Sequence, residues 1–384
     1  MTSFDQGLAI ELLHGLVSTP SVSGMEANAV ALLVDRMERL GFRAIIDDAG
    51  NAVGTIGSES PRATEVLLLG HIDTVPGEIP VRIQDGVLWG RGAVDAKGPL
   101  CAFTIAAATT HIPDNARLVV IGAVGEETPT SPGATYVRDN YRPQACIIGE
   151  PSGWERYAIG YKGRLLVHAT FTQDAGHSAG PVSSVAERAI AWHRRIVAQI
   201  SEWNLGHEGN FDTIAANIQR FHTESDGLRD TARLTLGLRL PTWCDPNELQ
   251  SLIHDTSRES ELAFEGHAHA HREPRAGPLA NALSAAIGGI GGRPTATVKT
   301  GTSDMNTVAQ AFNCPIVAYG PGDSTLDHTP HERIDLPEYL RSIEVLRAAL
   351  PDLVRSISDR PGPPAPSAVS SPPPPRESRY RSPG

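Results

Sequence analysis

Residues 66–69 form an uninterrupted apolar run, VLLL, that stops at His71 and Asp73, and a glycine-rich stretch, Trp89-Gly90-Arg91-Gly92, then delivers Asp95. An imidazole and two carboxylates in such places are ligands for a divalent metal. A strand without polar alternation is buried on both faces, and the end of such a strand in a parallel sheet is where ligands are usually presented. His71 and Asp73, two residues apart, share one face of an extended chain. A metal-bound histidine commonly gives its second N–H to a carboxylate, a role open to Asp73, which could equally orient a neighbouring ligand. The glycines allow the tight turn that would return Asp95 to the side of His71. Taken alone, His-x-Asp is short and fits a strand capped by a polar turn as well as a metal site.

Two further runs repeat the pattern. Residues 117–124 end in Gly125-Glu126-Glu127, and residues 145–148 end in Gly149-Glu150-Pro151. Three strand-like segments that terminate in histidine or acidic residues belong at one edge of an open α/β sheet. Carboxylates crowded there repel one another unless a cation sits among them. Oxygen and imidazole ligands without thiolate suit zinc, cobalt or manganese, in an open catalytic site rather than a closed structural one.

The elements that must hold these groups can be traced by periodicity. Helices are expected over residues 5–17, 24–40 and 100–110, the second with Val30, Leu33, Met37 and Leu40 along one stripe. After Glu150 the texture changes to strands near 163–171, 213–221, 234–240 and 262–267 and helices near 185–200 and 247–256. That β-α-β-β-α-β order predicts a split βαβ insertion. From Pro278 the first pattern resumes, so the expected organisation is a discontinuous α/β domain over 1–158 and 274–358, a mostly parallel sheet with helices, interrupted by an α+β, ferredoxin-like domain over 159–273. Residues 359–384 are rich in proline and serine and are expected to be a disordered tail.

Composition narrows the function classes. The chain has 384 residues, 40% of them hydrophobic, and a formal net charge of −11, which argues against general nucleic-acid binding. The four cysteines, Cys101, Cys146, Cys244 and Cys314, form no CxxC pair. Neither a basic leader nor a run of about 18 apolar residues occurs, so a cytoplasmic protein without a membrane span is expected. His267, His269 and His271 alternate and could share a strand face; with no acidic or cysteine companion nearby they are assigned to an exposed edge. From local sequence, His177 in Gly176-His177-Ser178-Ala179-Gly180 is a solvated loop histidine. Arg239, on the polar face of its strand, is either a surface arginine or a bidentate clamp for a substrate carboxylate.

HIDT, GAVDAKG, GEE, GEP and DHTPHER, in this order and spacing, resemble the dinuclear zinc amidohydrolase and peptidase family of acetylornithine deacetylase, succinyl-diaminopimelate desuccinylase and glutamate carboxypeptidases. The resemblance runs from residue 5 to residue 357. It implies a zinc-peptidase-like catalytic domain with an inserted lid and dimerisation domain, and two divalent metal ions, zinc or cobalt. In it Asp95 bridges the metals, His71 and Glu150 complete one site, and Glu127 and His328 the other. Glu126 is the implied general base and Asp73 the carboxylate supporting the centre. His177 would cross a homodimer interface to the oxyanion, with Asn217 and Arg239 on the substrate. One position departs from the family pattern: His331, where Asn or Asp is usual, precedes Glu332 and rivals His328, which is preferred on its spacing to Glu332. Gly160-Tyr161-Lys162-Gly163-Arg164 and KTGTSDMN at 299–306 resemble the branch that releases lysine or ornithine from the carrier protein LysW. Deacetylation of N-acetylornithine or N-acetyl-lysine, or dipeptidase or carboxypeptidase action, is the alternative within the family. A metal-binding scaffold without catalysis is the alternative outside it.

Overall fold

The computed structural model describes residues 4–177, 182–255 and 257–358. The tail at 359–384, and Ser178, Ala179 and Gly180 of the small-residue loop, lie outside them. Strand Thr64–His71 is buried at every position. Val66 and Leu68 enter one hydrophobic core while Leu67 and Leu69 enter a second, because successive side chains of a strand point to opposite faces. Both cores are covered by helices. Gln6–Val17, Ala27–Arg39, Lys97–Thr109, Pro278–Gly289 and Leu336–Ser358 contribute to the first, and Pro132–Asn140 and Asp304–Phe312 to the second.

The four central strands of the main sheet, Ala116–Ala123, Thr64–His71, Ala145–Gly149 and Ile316–Ala318, are parallel. Antiparallel pairs flank them, with Arg43–Ile46 and Ala52–Gly57 at one side and Arg156–Tyr161 with His271–Arg272 at the other. Strand Thr295–Lys299 pairs in parallel with Arg156–Tyr161. The class is α/β with a mostly parallel central sheet.

A separate antiparallel sheet follows the order Ala215–Ser225, Arg229–Leu240, Gly163–Asp174, Glu261–Ala268. With helices Val185–Trp203 and Pro246–Asp255 this is the split βαβ arrangement. Its core contains Leu165, Val167, Phe171, Leu234, Leu236 and Leu238 packed on Trp192. Ser184 opens the longer helix with a reciprocal capping box to Glu187. The histidine expectation needs correction: His267 lies exposed on an edge strand of this sheet, whereas His271 belongs to the main sheet and sits 2.8 Å from Glu273. The chain changes sheets between them, so they share no strand face.

A third, small sheet joins Arg82–Gln84, Val87–Trp89 and Arg333–Asp335, with Arg333 opposite Trp89. The guanidinium groups of Arg82 and Arg333 lie 4.5 and 4.7 Å from the Trp89 ring centre. This sheet brings the loop before Asp95 against the loop that carries His328.

Candidate active site

The parallel register sets Gly70 opposite Gly122 and Gly149, so the segments bearing His71, Glu126-Glu127 and Glu150 leave the sheet at one edge. His71 is 1% exposed. Its Nε2 lies 3.1 Å from Asp95 Oδ1, and its Nδ1 lies 3.1 Å from the backbone oxygen of Asp73. The Asp73 carboxylate accepts hydrogen bonds from the backbone N–H groups of Glu126 at 3.0 Å and Glu127 at 3.1 Å and from the Ser23 hydroxyl at 2.7 Å. Asp73 therefore holds the turn that presents both glutamates, besides steadying His71.

The Asp95 loop turns through Gly92, whose φ is +80° and where a Cβ would come within 2.7 Å of Thr74 Cγ2. Only glycine suits both the backbone angle and the space. Behind the loop, Glu332 is fully buried and pairs with Arg91 at 2.7 Å, while its other oxygen accepts from the N–H groups of Val94 at 3.0 Å and Asp95 at 3.1 Å. The residue that served in the sequence only as a spacing marker is thus the anchor of the Asp95 backbone.

His328 has a left-handed backbone, φ +60°, which is uncommon outside glycine and found at tight functional turns. It directs Nε2 to 2.9 Å from Glu127 Oε1 and 3.0 Å from Asp95 Oδ2. His331 is exposed, and its backbone N–H donates to the Thr329 hydroxyl at 3.2 Å. Of the two rivals, His328 is the one beside the acidic residues.

Asp95, Glu126, Glu127, Glu150 and His328 line one cavity of about 280 Å³. Arg164, Arg239 and Lys299 line it too. Arg239 donates to the Thr302 hydroxyl at 3.0 Å, so it is a part-buried cation facing the site and not a surface arginine. Asn217 is exposed in strand Ala215–Ser225, opposite Gly237, and His177 is exposed; neither lines the cavity. Four further residues belong to the site or its support: Ser23, Arg91, Asp304 and Asp327. Asp304 is 2% exposed with no hydrogen-bond partner on either carboxylate oxygen among the described residues. Ser23 and Arg91 act through partners remote in sequence, Asp73 and Glu332, which no local pattern announces; Asp304 and Asp327 fall inside motifs the sequence displays, and only the fold shows that each has a buried carboxylate oxygen without a donor among the described residues.

The electrostatics agree with a cation site. Burial pushes the Glu126 carboxyl well up; the charge of His71 opposes this, and Asp304, Glu127 and Asp95 add to it. Burial and the nearby Asp95 and Glu126 push Glu150 up as well. For Asp95 burial acts upward, but hydrogen bonds from His328 and His71 outweigh it and hold the carboxyl far below its usual range. The bonds that His328 donates to Asp95 and Glu127 push its own imidazole up to about 10. His71, Asp95 and Glu127 each offer a ligand atom within 4.8 Å of the others. An imidazole and carboxylates converging on one point, with more carboxylates crowded around, fit a divalent metal: its charge would offset the repulsion, and hard oxygen with imidazole nitrogen suits zinc, cobalt or manganese.

Comparison with known proteins agrees with this geometry. Residues 67–352 match peptidase family M20/M25/M40. A protein of Deinococcus radiodurans described as a LysW-lysine hydrolase is 46% identical over 364 residues, covering 91% of this chain and 98% of its own. Among solved structures, an M20-family metallo-carboxypeptidase from Sulfolobus solfataricus superposes with a TM-score of 0.73 at 18% identity, covering 91% of this chain and 99% of the other. A tripeptidase from Staphylococcus aureus does so with a TM-score of 0.72 at 18% identity, covering 93% and 100%.

Proposed function

The chain belongs to peptidase family M20/M25/M40 and is a metal-dependent hydrolase, and from that premise we propose that it releases lysine, and also ornithine, from the terminal glutamate of the carrier protein LysW. The observation that carries the reading is the convergence of His71, Asp95, Glu127 and His328 at one sheet edge beside Glu126. The 46% identity to a LysW-lysine hydrolase supports the choice of substrate within the family. We assign Asp95 to both of two metal ions, zinc before cobalt, with His71 and Glu150 at one and Glu127 and His328 at the other. When bound, the two ions polarise the amide carbonyl and lower the proton affinity of the attacking water.

The chain's own residues do the rest. Glu126 takes the proton of the water and returns it to the departing α-amine; its buried, like-charged surroundings raise its proton affinity toward that task. Asp73 keeps Glu126 and Glu127 aligned through their backbone N–H groups. Arg239, steadied by Thr302, is placed to clamp a substrate carboxylate. His177 is exposed and lies outside the cavity of its own chain, in keeping with a homodimer in which it serves the partner subunit's site; Asn217, on the strand paired with that of Arg239, would donate to the same substrate carboxylate. The insertion over 159–273 would then be the lid and dimerisation domain. Among the described residues no helix is long and apolar enough to cross a membrane, and a cytoplasmic place fits a biosynthetic role.

The test is a direct comparison of metal-loaded protein on carrier-bound lysine, N-acetylornithine, N-acetyl-lysine and simple dipeptides. Carrier-bound lysine should have the highest kcat/KM. Turnover of the free acyl amino acids without turnover of the carrier conjugate would refute the carrier reading and leave the hydrolase.

A further inference from the structure

The cavity contains one carboxylate that neither hydrolysis nor metal binding uses. Asp327 lines it beside His328, just after the short 3-10 segment Ser324–Leu326, whose start is capped by the Asp323 side chain. The Asp327 Oδ1 atom is fully buried and accepts no hydrogen bond among the described residues. A buried carboxylate oxygen without a donor is unusual, because most such atoms are satisfied. Lys299, which lines the same cavity, donates its ammonium to the Ser324 hydroxyl, and no ion pair joins it to Asp327 among the described residues. Arg239 is likewise engaged with a neutral hydroxyl, that of Thr302.

The pocket thus offers two cations whose hydroxyl partners a carboxylate could replace, and with them a carboxylate that no ion pair engages among the described residues. A ligand that satisfies both is dipolar. The α-nitrogen of an acylated amino acid is a neutral amide, so the only cation such a substrate can bring lies on its side chain. We propose that Asp327 binds the side-chain ammonium of a diamino acid, while Arg239 and Lys299 hold its α-carboxylate. The neighbouring His328 imidazole is engaged by Asp95 and Glu127, whereas Asp327 lines the same cavity with its Oδ1 unpaired among the described residues. This assignment rests on the amide-hydrolase reading but not on the carrier, since N-acetylornithine presents the same ammonium.

Two substrates isolate that group: Nα-(γ-glutamyl)lysine and Nα-(γ-glutamyl)norleucine, which differ only in the terminal ammonium. The wild-type, metal-loaded chain should prefer the lysyl amide by about 10- to 100-fold in kcat/KM, the worth of one hydrogen bond to a charged group. In Asp327→Asn that ratio should fall to within about threefold, and Asp327→Glu should restore part of it. Calorimetric binding of free lysine against free norleucine should change in the same direction, independently of turnover. A wild-type ratio near one, or an Asp327→Asn variant that slows both substrates and keeps their ratio, would overturn the proposal; in the latter case Asp327 only positions Lys299 or His328. Hydrolysis of neither amide, nor of any acylated amino acid, would instead refute the hydrolase reading, and the calorimetric pair would still decide whether Asp327 selects the ammonium.

Discussion

Replacing Glu332 with glutamine probes how the Asp95 loop is held. One Glu332 oxygen pairs with Arg91 at 2.7 Å and the other accepts from the N–H groups of Val94 and Asp95 at 3.0 and 3.1 Å. Glutamine has nearly the same shape but one acceptor in place of two. If its oxygen keeps the backbone donors, its NH2 faces the Arg91 guanidinium, donor against donor; if it turns, Val94 and Asp95 lose their acceptor. Either way a charge-assisted contact is lost, about 1.5–3 kcal/mol. Expressed wholly at Asp95, that corresponds to a drop in metal affinity of about 10- to 100-fold, the same range as removing an outer partner of a ligand. The assay is calorimetric titration of zinc into chelator-stripped wild type, Glu332→Gln, Arg91→Met and the double variant. The double variant should lose less than the sum of the singles, because the two side chains act as one unit. A Glu332→Gln protein that binds both metals within about threefold of wild type, with additive losses in the double variant, would refute the idea that this pair positions Asp95.

Glu126→Gln should keep its metals and lose about 10²- to 10⁴-fold in single-turnover hydrolysis, as expected when a general base becomes an amide; near-normal turnover would remove Glu126 from that role. His328→Ala should lose the more weakly held metal and nearly all activity, whereas His331→Ala, altering an exposed group, should retain both metals when they are supplied in excess. An anomalous-scattering map with His331 on the metal would reverse the assignment. Metal affinity should rise with pH, because hydrogen bonds donated to Asp95 and Glu127 push His328 up to about 10 in the metal-free protein and a metal binds only the neutral imidazole. The same raised value means that the His328 contribution to metal-free stability is complete below the unfolded histidine pKa of about 6.5 and is lost as pH climbs through about 10. Calorimetry in buffers of different ionisation heat measures the released protons, and an affinity that stays flat between about pH 6 and 9 would contradict this.

Much of this was legible in the sequence because it is local. Residues 66–69 have no polar alternation because both faces of their strand are buried, and the chemistry begins where that burial stops, at His71. The alternation of Leu234, Leu236 and Leu238 with Thr235 and Gly237 likewise announced a one-sided sheet, and those leucines pack on one core. Three turns with Gly and acidic residues follow apolar runs in the sequence, and the parallel register brings those turns to one edge of the sheet.

What tertiary structure alone decided is how distant pieces meet. His267 and His271 look alike in sequence yet enter different sheets, because strand pairing and not spacing sets the face a side chain occupies. Glu332 and Arg91 are 241 residues apart, and it is the small sheet pairing Arg333 with Trp89 that makes them neighbours. The sequence of this protein determined its strands, the break in texture after Glu150 and the types of side chain available at the sheet edge. Which carboxylate is buried against a backbone, which faces a cation and which is left without a donor, as in Asp73, Glu332 and Asp327, depends on long-range partners that local composition cannot encode, because a carboxylate's role is set by the groups that desolvate and satisfy it.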